Sequence, residues 1–240
     1  MITLKEVKSK TKREDQESND SLHWFSSKFS SYFSWIFINL KLTADQVTII
    51  FFVLGTLGAM SLLYNTYASV FISYLLYRLH IIVDMADGDV ARYNNKFSIR
   101  GVYWDSMAHS VINPLFFING CLLLYQRFDQ IYFLYISPFI CLIISLFMST
   151  KNNYLKAKHL NNEPKNNKRK EDYNYKQKII LFISLIFSIE GFIPFLFISI
   201  LIDNIYFSFV GVTLFCIAIF FGSLLKFLNY SYKGYTLRKN

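Results

Sequence analysis

Charge is sparse in this chain. Asp, Glu, Lys and Arg make up 17% of its residues, against 53% hydrophobic. A length of 240 residues would suffice for one or two soluble domains, but the apolar residues fall in long runs rather than at amphipathic spacing. Cysteine is scarce as well. Cys121, Cys141 and Cys216 all lie inside apolar runs with no CxxC spacing, which argues for packing residues and against a disulfide framework or a zinc site. Residues 1–22 mix Lys with Glu and Asp, and no short apolar core with a small-residue cleavage site follows, so no signal peptide is expected. No internal repeat of the transporter kind is visible. No basic and aromatic stripe sits on a soluble module, so nucleic acid is not an expected partner.

What the chain does have is length of apolar run. A hydrocarbon core about 30 Å thick takes roughly 20 helical residues to cross. Six segments come near that length, at 46–65, 67–88, 101–125, 130–149, 178–202 and 205–229. Backbone groups in lipid have to be satisfied within the segment, so the expected fold is an all-α integral membrane protein with six transmembrane helices. Lys and Arg number seven in residues 1–45, three in 92–100, nine in 151–178 and four from Lys226 onward. The connections on the other side hold only Arg127. By the positive-inside rule both termini and the basic connections are cytoplasmic, and the net charge of +9 is topogenic, with some attraction for anionic headgroups.

The expected organisation is a polar, loosely ordered tail (1–22), an amphipathic interfacial helix (23–40), a six-span domain (41–230) and a second tail (231–240). In 23–40, Phe25, Phe29, Tyr32, Phe33, Ile36 and Leu40 recur at helical spacing, with serines on the other side. A cytoplasmic helix packed on the bundle is the alternative. Thr43, with Gln46 three residues on, has the spacing of a capping box ahead of the first span. Residues 151–177, rich in Asn and Lys, are expected to be a flexible basic loop.

An ionisable stretch interrupts the second and third apolar runs: DMADGDVARYNNKFSIRGVYWDSMAH, residues 84–109. Asp84, Asp87, Gly88 and Ala91 stand at i, i+3, i+4 and i+7 and share a helix face, which Tyr77 and His80 extend, with Arg92 beside it. Asp105 and His109 are an i, i+4 pair on the next helix, and the short polar turn between brings the two helices together antiparallel. Carboxylates so gathered repel unless a proton or a cation intervenes. Carboxylate ligation suits a hard divalent ion such as Mg²⁺ or Mn²⁺. Gly88 and Ala91 leave a groove, and Arg92 suits phosphate oxygens, so the set describes a pyrophosphate site. The bland alternative is a row of helix ends solvated among headgroups, against which stands the cost of ionisable residues within spans.

The spacing D-x2-D-G-x2-A-R-x8-G-x3-D-x3, carried by Asp84, Asp87, Gly88, Ala91, Arg92, Gly101 and Asp105, resembles the signature of the CDP-alcohol phosphatidyltransferase family, six-span membrane enzymes. LTADQVT before the first span is similar too. The resemblance implies transfer of a substituted phosphate from a CDP-linked alcohol, such as CDP-diacylglycerol, to an alcohol acceptor with release of CMP, in phospholipid or related surface-lipid or glycan synthesis. It implies Mg²⁺ or Mn²⁺ held by Asp84, Asp87 and Asp105. Asp45, Thr48, Gly88, Ala91, Arg92, Ser98 and Gly101 would line the CDP site. It also implies a homodimer in the bilayer with a cytoplasmic active site.

The family pattern closes on a fourth aspartate, the base for the acceptor hydroxyl, and here His109 stands in its place. Imidazole can take that proton or ligate metal, but adds no negative charge. Three readings follow: His109 is base or ligand beside Asp105; its role has passed elsewhere, for instance to water; or the site is catalytically silent. His80 reads as a partner behind Asp84, and Glu190 either lines the acceptor pocket or pairs with a group such as Arg78. Beyond the family, a cation transporter using the aspartates is the competing function, although the third span past His109 carries no charge to continue a pathway.

Overall fold

The capping-box spacing at Thr43 is realised in the structure. The Thr43 hydroxyl accepts from the Gln46 amide at 3.3 Å, and the Gln46 side chain accepts from the Thr43 amide at 2.9 Å. A computed structural model describes residues 2–11, 24–96, 99–160 and 189–236. Among the described residues there are helices and no strands. In chain order they are α1 (Leu4–Thr11), α2 (Trp24–Asn39), α3 (Ala44–Ser61), α4 (Tyr67–Tyr93), α5 (Ile99–Phe128), α6 (Tyr132–Leu160), α7 (Ile189–Ile202) and α8 (Ile205–Thr236).

Among the described residues, four segments are long and apolar enough to cross a membrane: Ala44–Ser61, Tyr67–Tyr93, Arg100–Phe128 and Ile205–Leu225. They match the first, second, third and sixth expected spans. The fourth and fifth correspond to shorter apolar stretches, Tyr132–Leu146 and Gly191–Ile202, and residues 178–188 of the fifth lie outside the described ones. Helix α6 continues to Leu160, ten residues into the segment expected to be loop. Residues 161–177 lie outside the described residues.

The chain divides into two compact units, residues 1–116 and 117–240, with α5 crossing from one to the other. In the first unit α3 packs along α4, and α2 packs on α4 from the polar end of the chain. Close approach depends on two glycines one turn apart on α3. A Cβ on Gly55 would lie 2.7 Å from Ile112 Cδ1 and 3.0 Å from His80 Nδ1, and one on Gly58 would lie 3.2 Å from Phe116 Cζ. The core they serve contains Phe51, Val83, Ala86, Val90, Ile112 and Phe116, all nearly or fully buried.

Two turns in this unit end their helices alike. Asn95 (φ 50°) follows α4, with Lys96 N donating to Ala91 O at 3.0 Å and Asn95 N to Arg92 O at 3.1 Å. Lys41 (φ 57°) follows α2, with Leu42 N on Phe37 O at 3.0 Å and Lys41 N on Ile38 O at 3.0 Å. Both are Schellman caps, which satisfy the last carbonyls through one left-handed residue. Asn tolerates that conformation better than most side chains, so the second N of YNNK is what stops α4.

The N-terminal residues differ from the expected loose tail. Residues 4–11 form a helix, and the backbone just before it is pinned to α2. Ile2 N donates to Asn39 Oδ1 at 3.1 Å, while Ile2 O accepts from Trp35 Nε1 at 2.7 Å. Further along, Tyr93 OH donates to Glu6 Oε1 at 3.0 Å and Lys10 Nζ lies 4.8 Å from the Tyr93 ring centroid.

In the second unit the core is aromatic. Phe117 stacks on Phe192 at 4.4 Å, and Phe192 meets Phe215 edge-on at 5.3 Å. Gly120 admits the Phe192 ring, since a Cβ there would lie 2.6 Å from it. Arg127 donates to Asp203 at 2.8 Å, and Tyr132 OH bonds Thr213 Oγ1 at 2.9 Å.

Candidate active site

The last turns of α4 and the first of α5 meet at one end of the first unit, because the Asn95 turn returns the chain antiparallel within a few residues. A helix of 27 residues is about 40 Å long, some 10 Å more than a hydrocarbon core. The turns from Asp84 onward form the end of this helix nearest α5. There, one oxygen each from Asp84 and Asp105 and one nitrogen of His109 all lie within 4.8 Å of one another. His109 Nε2 is 3.4 Å from Asp84 Oδ1 and 3.4 Å from Asp105 Oδ1.

The imidazole is fixed from behind by rings. Phe51 of α3 stacks on it at 5.8 Å between centroids, and His80 meets it edge-on at 5.9 Å. His80 is itself held by the Phe51 carbonyl, 2.9 Å from its Nδ1. A carbonyl only accepts, so Nδ1 is the donor. His80 thus orders the wall behind His109, bonded through Nδ1 to α3 where the sequence had suggested Asp84.

Beside the cluster opens a cavity of about 700 Å³. Of the residues expected to hold CDP, Asp45, Thr48, Gly88, Ala91 and Gly101 line it, together with Asp87 and Asp105. Asp105 belongs to both the cluster and the cavity, and so joins the three-ligand group to the space a substrate would fill. Thr48 Oγ1 donates to Asp87 Oδ2 at 3.0 Å, which turns that carboxylate toward α3. Of the expected metal set, Asp84, Asp105 and His109 come together; Asp87 stands on the same α4 face, bonded by Thr48. Lys41, Lys96, Tyr93 and Ile2 also line the cavity, and none of these was singled out from the sequence.

Arg92 is placed otherwise than expected. It is absent from the lining, and its Nη2 bonds Asp89 three residues earlier. Asp89 is 1% exposed and also accepts from Ser34 Oγ at 3.0 Å and Ser30 Oγ at 3.3 Å. The serine side of α2 therefore faces protein, while Phe29, Tyr32, Ile36 and Leu40 are exposed. Sequence reading missed Asp89. The available signal was an i, i+4 serine pair on one helix and an unexplained acid on another. Ser98 lies outside the described residues, as does the side chain of Glu190.

Two carboxylate oxygens and an imidazole nitrogen from facing helices fit a divalent ion. Ligands at 2.0–2.1 Å in an octahedron are roughly 3–4 Å apart, so a small closure of the cluster would complete three sites. A chain helical through its described residues, with an acidic cluster beside a cavity at the end of α4, is the class defined by fold and site together. A model of the CDP-alcohol phosphatidyltransferase family matches residues 41–222, and the chain belongs to that family. It is 33% identical over 89 residues to the bifunctional IPC transferase and DIPP synthase of Archaeoglobus fulgidus. That similarity covers 37% of this chain and 17% of the length of the relative.

Proposed function

We propose that this chain moves a substituted phosphate from a CDP-linked alcohol to the hydroxyl of an alcohol acceptor, releasing CMP. The observation that carries the reading is the sharing of Asp105 between the Asp84–Asp105–His109 cluster and a cavity lined by Asp45, Thr48, Asp87, Gly88, Ala91 and Gly101. The donor's diphosphate lies over Gly88 and Ala91, where the absence of bulk lets the backbone approach. Lys41 and Lys96 line the cavity and, with Arg92 next to Ala91 on α4, offer positive charge to it. A Mg²⁺ or Mn²⁺ ion held by the carboxylates of the cluster, with His109 left free, would neutralise charge at the phosphoryl oxygens and the leaving group.

In the transfer, a bond forms between the acceptor oxygen and the phosphorus that bears the alcohol. The bond from that phosphorus to the bridging oxygen breaks, and the electron pair leaves with CMP. The acceptor proton goes to His109 Nε2, and Asp84 and Asp105, each 3.4 Å away, stabilise the imidazolium formed. The donor and acceptor meet at one end of the first unit of a six-span protein, with the site and both chain ends cytoplasmic. Helix α2 lies along the membrane surface with its aromatic side toward lipid.

The test is CMP release by the purified protein from a panel of CDP-linked donors and mixed acceptors, with Mg²⁺ or Mn²⁺ and with chelator. Metal-dependent release that vanishes in Asp105→Asn is the expected result. No CMP from any pair, in a folded protein that still binds CDP-alcohol, would make this a silent member of the family.

A further inference from the structure

Asp89 stands in the ionisable stretch but outside the spacing that defines it, and it is the most deeply buried of the four aspartates there. A buried carboxylate is tolerated when donors surround it. Here Ser30 and Ser34, one turn apart on α2, supply two hydroxyls at 3.3 and 3.0 Å, and Arg92 supplies its Nη2. Ser34 Oγ is also 2.7 Å from Ser30 O, so its one proton is shared between that carbonyl and Asp89. The arginine held this way is 28% exposed, and its Nε is buried with no hydrogen-bond partner among the described residues. Neighbouring Ala91 and Tyr93 both line the cavity.

We infer that Asp89, oriented by Ser30 and Ser34, is a positioning residue that fixes the Arg92 guanidinium for the diphosphate of the donor. This rests on the reading that a CDP-linked donor occupies the cavity beside α4. An arginine side chain is rich in rotamers, and one anchored edge removes most of them before the ligand arrives, leaving its remaining donors aimed. The same anchor explains why α2 turns its serines inward, since the carboxylate that needs them lies on α4.

The experiment is a double-mutant cycle read by titration calorimetry of CDP, with Mg²⁺ present, on the full chain in detergent. The proteins are wild type, Asp89→Asn, Arg92→Gln and the double variant. If the residues act as one unit, each single change weakens CDP about tenfold, and the double variant lies within about twofold of Arg92→Gln alone. Equal affinity of Asp89→Asn and wild type overturns the inference, as do losses that multiply. Tighter binding in Asp89→Asn overturns it too, because Asp89 would then compete with the ligand for Arg92. If Asp89→Asn does not fold, Ser30→Ala with Ser34→Ala leaves the carboxylate in place. That variant must lose CDP affinity in the wild-type background and not in Arg92→Gln, or the inference falls. Failure of the wild type itself to bind CDP is a different result: it removes the proposed function, and this inference with it.

Discussion

His109 Nε2 stands 3.4 Å from Asp84 on one helix and 3.4 Å from Asp105 on its own, so one nitrogen faces both carboxylates. The same atom cannot bind an ion and take a proton at once. The two roles therefore separate by experiment. As the base, His109 contributes a factor on the order of 100 or more to turnover. His109→Ala is expected to lose that factor in CMP release while keeping most of the wild-type affinity for Mn²⁺, and His109→Asp to retain a fair fraction of the rate. An alanine variant as active as wild type would remove His109 from the mechanism. A variant with normal turnover at saturating Mn²⁺ and a large loss of Mn²⁺ affinity would make it a ligand.

The wall behind His109 is set by a close approach of α3. A Cβ at Gly55 would lie 2.7 Å from Cδ1 and 3.0 Å from Cγ2 of Ile112, itself fully buried, and 3.0 Å from His80 Nδ1. Overpacking of this sort costs about 1–3 kcal/mol. Gly55→Ala should lower the melting temperature by a few degrees and slow CMP release by displacing His80. Ile112→Val removes the nearest methyl, so adding it to Gly55→Ala should recover part of the loss. If the pair is no more stable than Gly55→Ala alone, the contact with Ile112 is not the source of the strain.

Much of this site was legible because short-range spacing carries it. Asp84 and Asp105 with His109 needed only helical periodicity and a turn short enough to fold back. The cap at Thr43 likewise depends on Gln46 three residues away. What escaped was set by long-range pairing. The alternation of rings and serines in α2 reads as a solvated polar face, as it would in water. Here the exposed side is the apolar one, and the serines meet Asp89 on α4. Arg92 looked free to bind phosphate because nothing in its own helix pattern distinguishes Asp89 from a solvated acid. Helix α6 ran on to Leu160 because Asn and Lys, read as loop formers, are also tolerated on a helix surface that packing does not decide.

The N-terminal segment shapes the cavity, although it lies before residue 41, where the family match begins. Ile2 lines the cavity, together with Ile38, Leu42 and Tyr93. Its backbone is held at both polar atoms, by Asn39 and by the Trp35 indole N–H at 2.7 Å. Removing residues 2–11 takes away this wall without touching the contacts among α3, α4 and α5, so the truncated protein should fold and still release CMP. What it should lose is closure: the KM for the CDP-linked donor should rise several-fold, with turnover at saturation little changed, as expected when binding alone is removed. Trp35→Phe, which deletes only the indole donor, should move KM in the same direction by a smaller amount, since one hydrogen bond contributes about 1 kcal/mol. Steady-state CMP release over a range of donor concentrations decides it. An unchanged KM in the truncation would mean that Ile2 covers a part of the cavity the donor does not use.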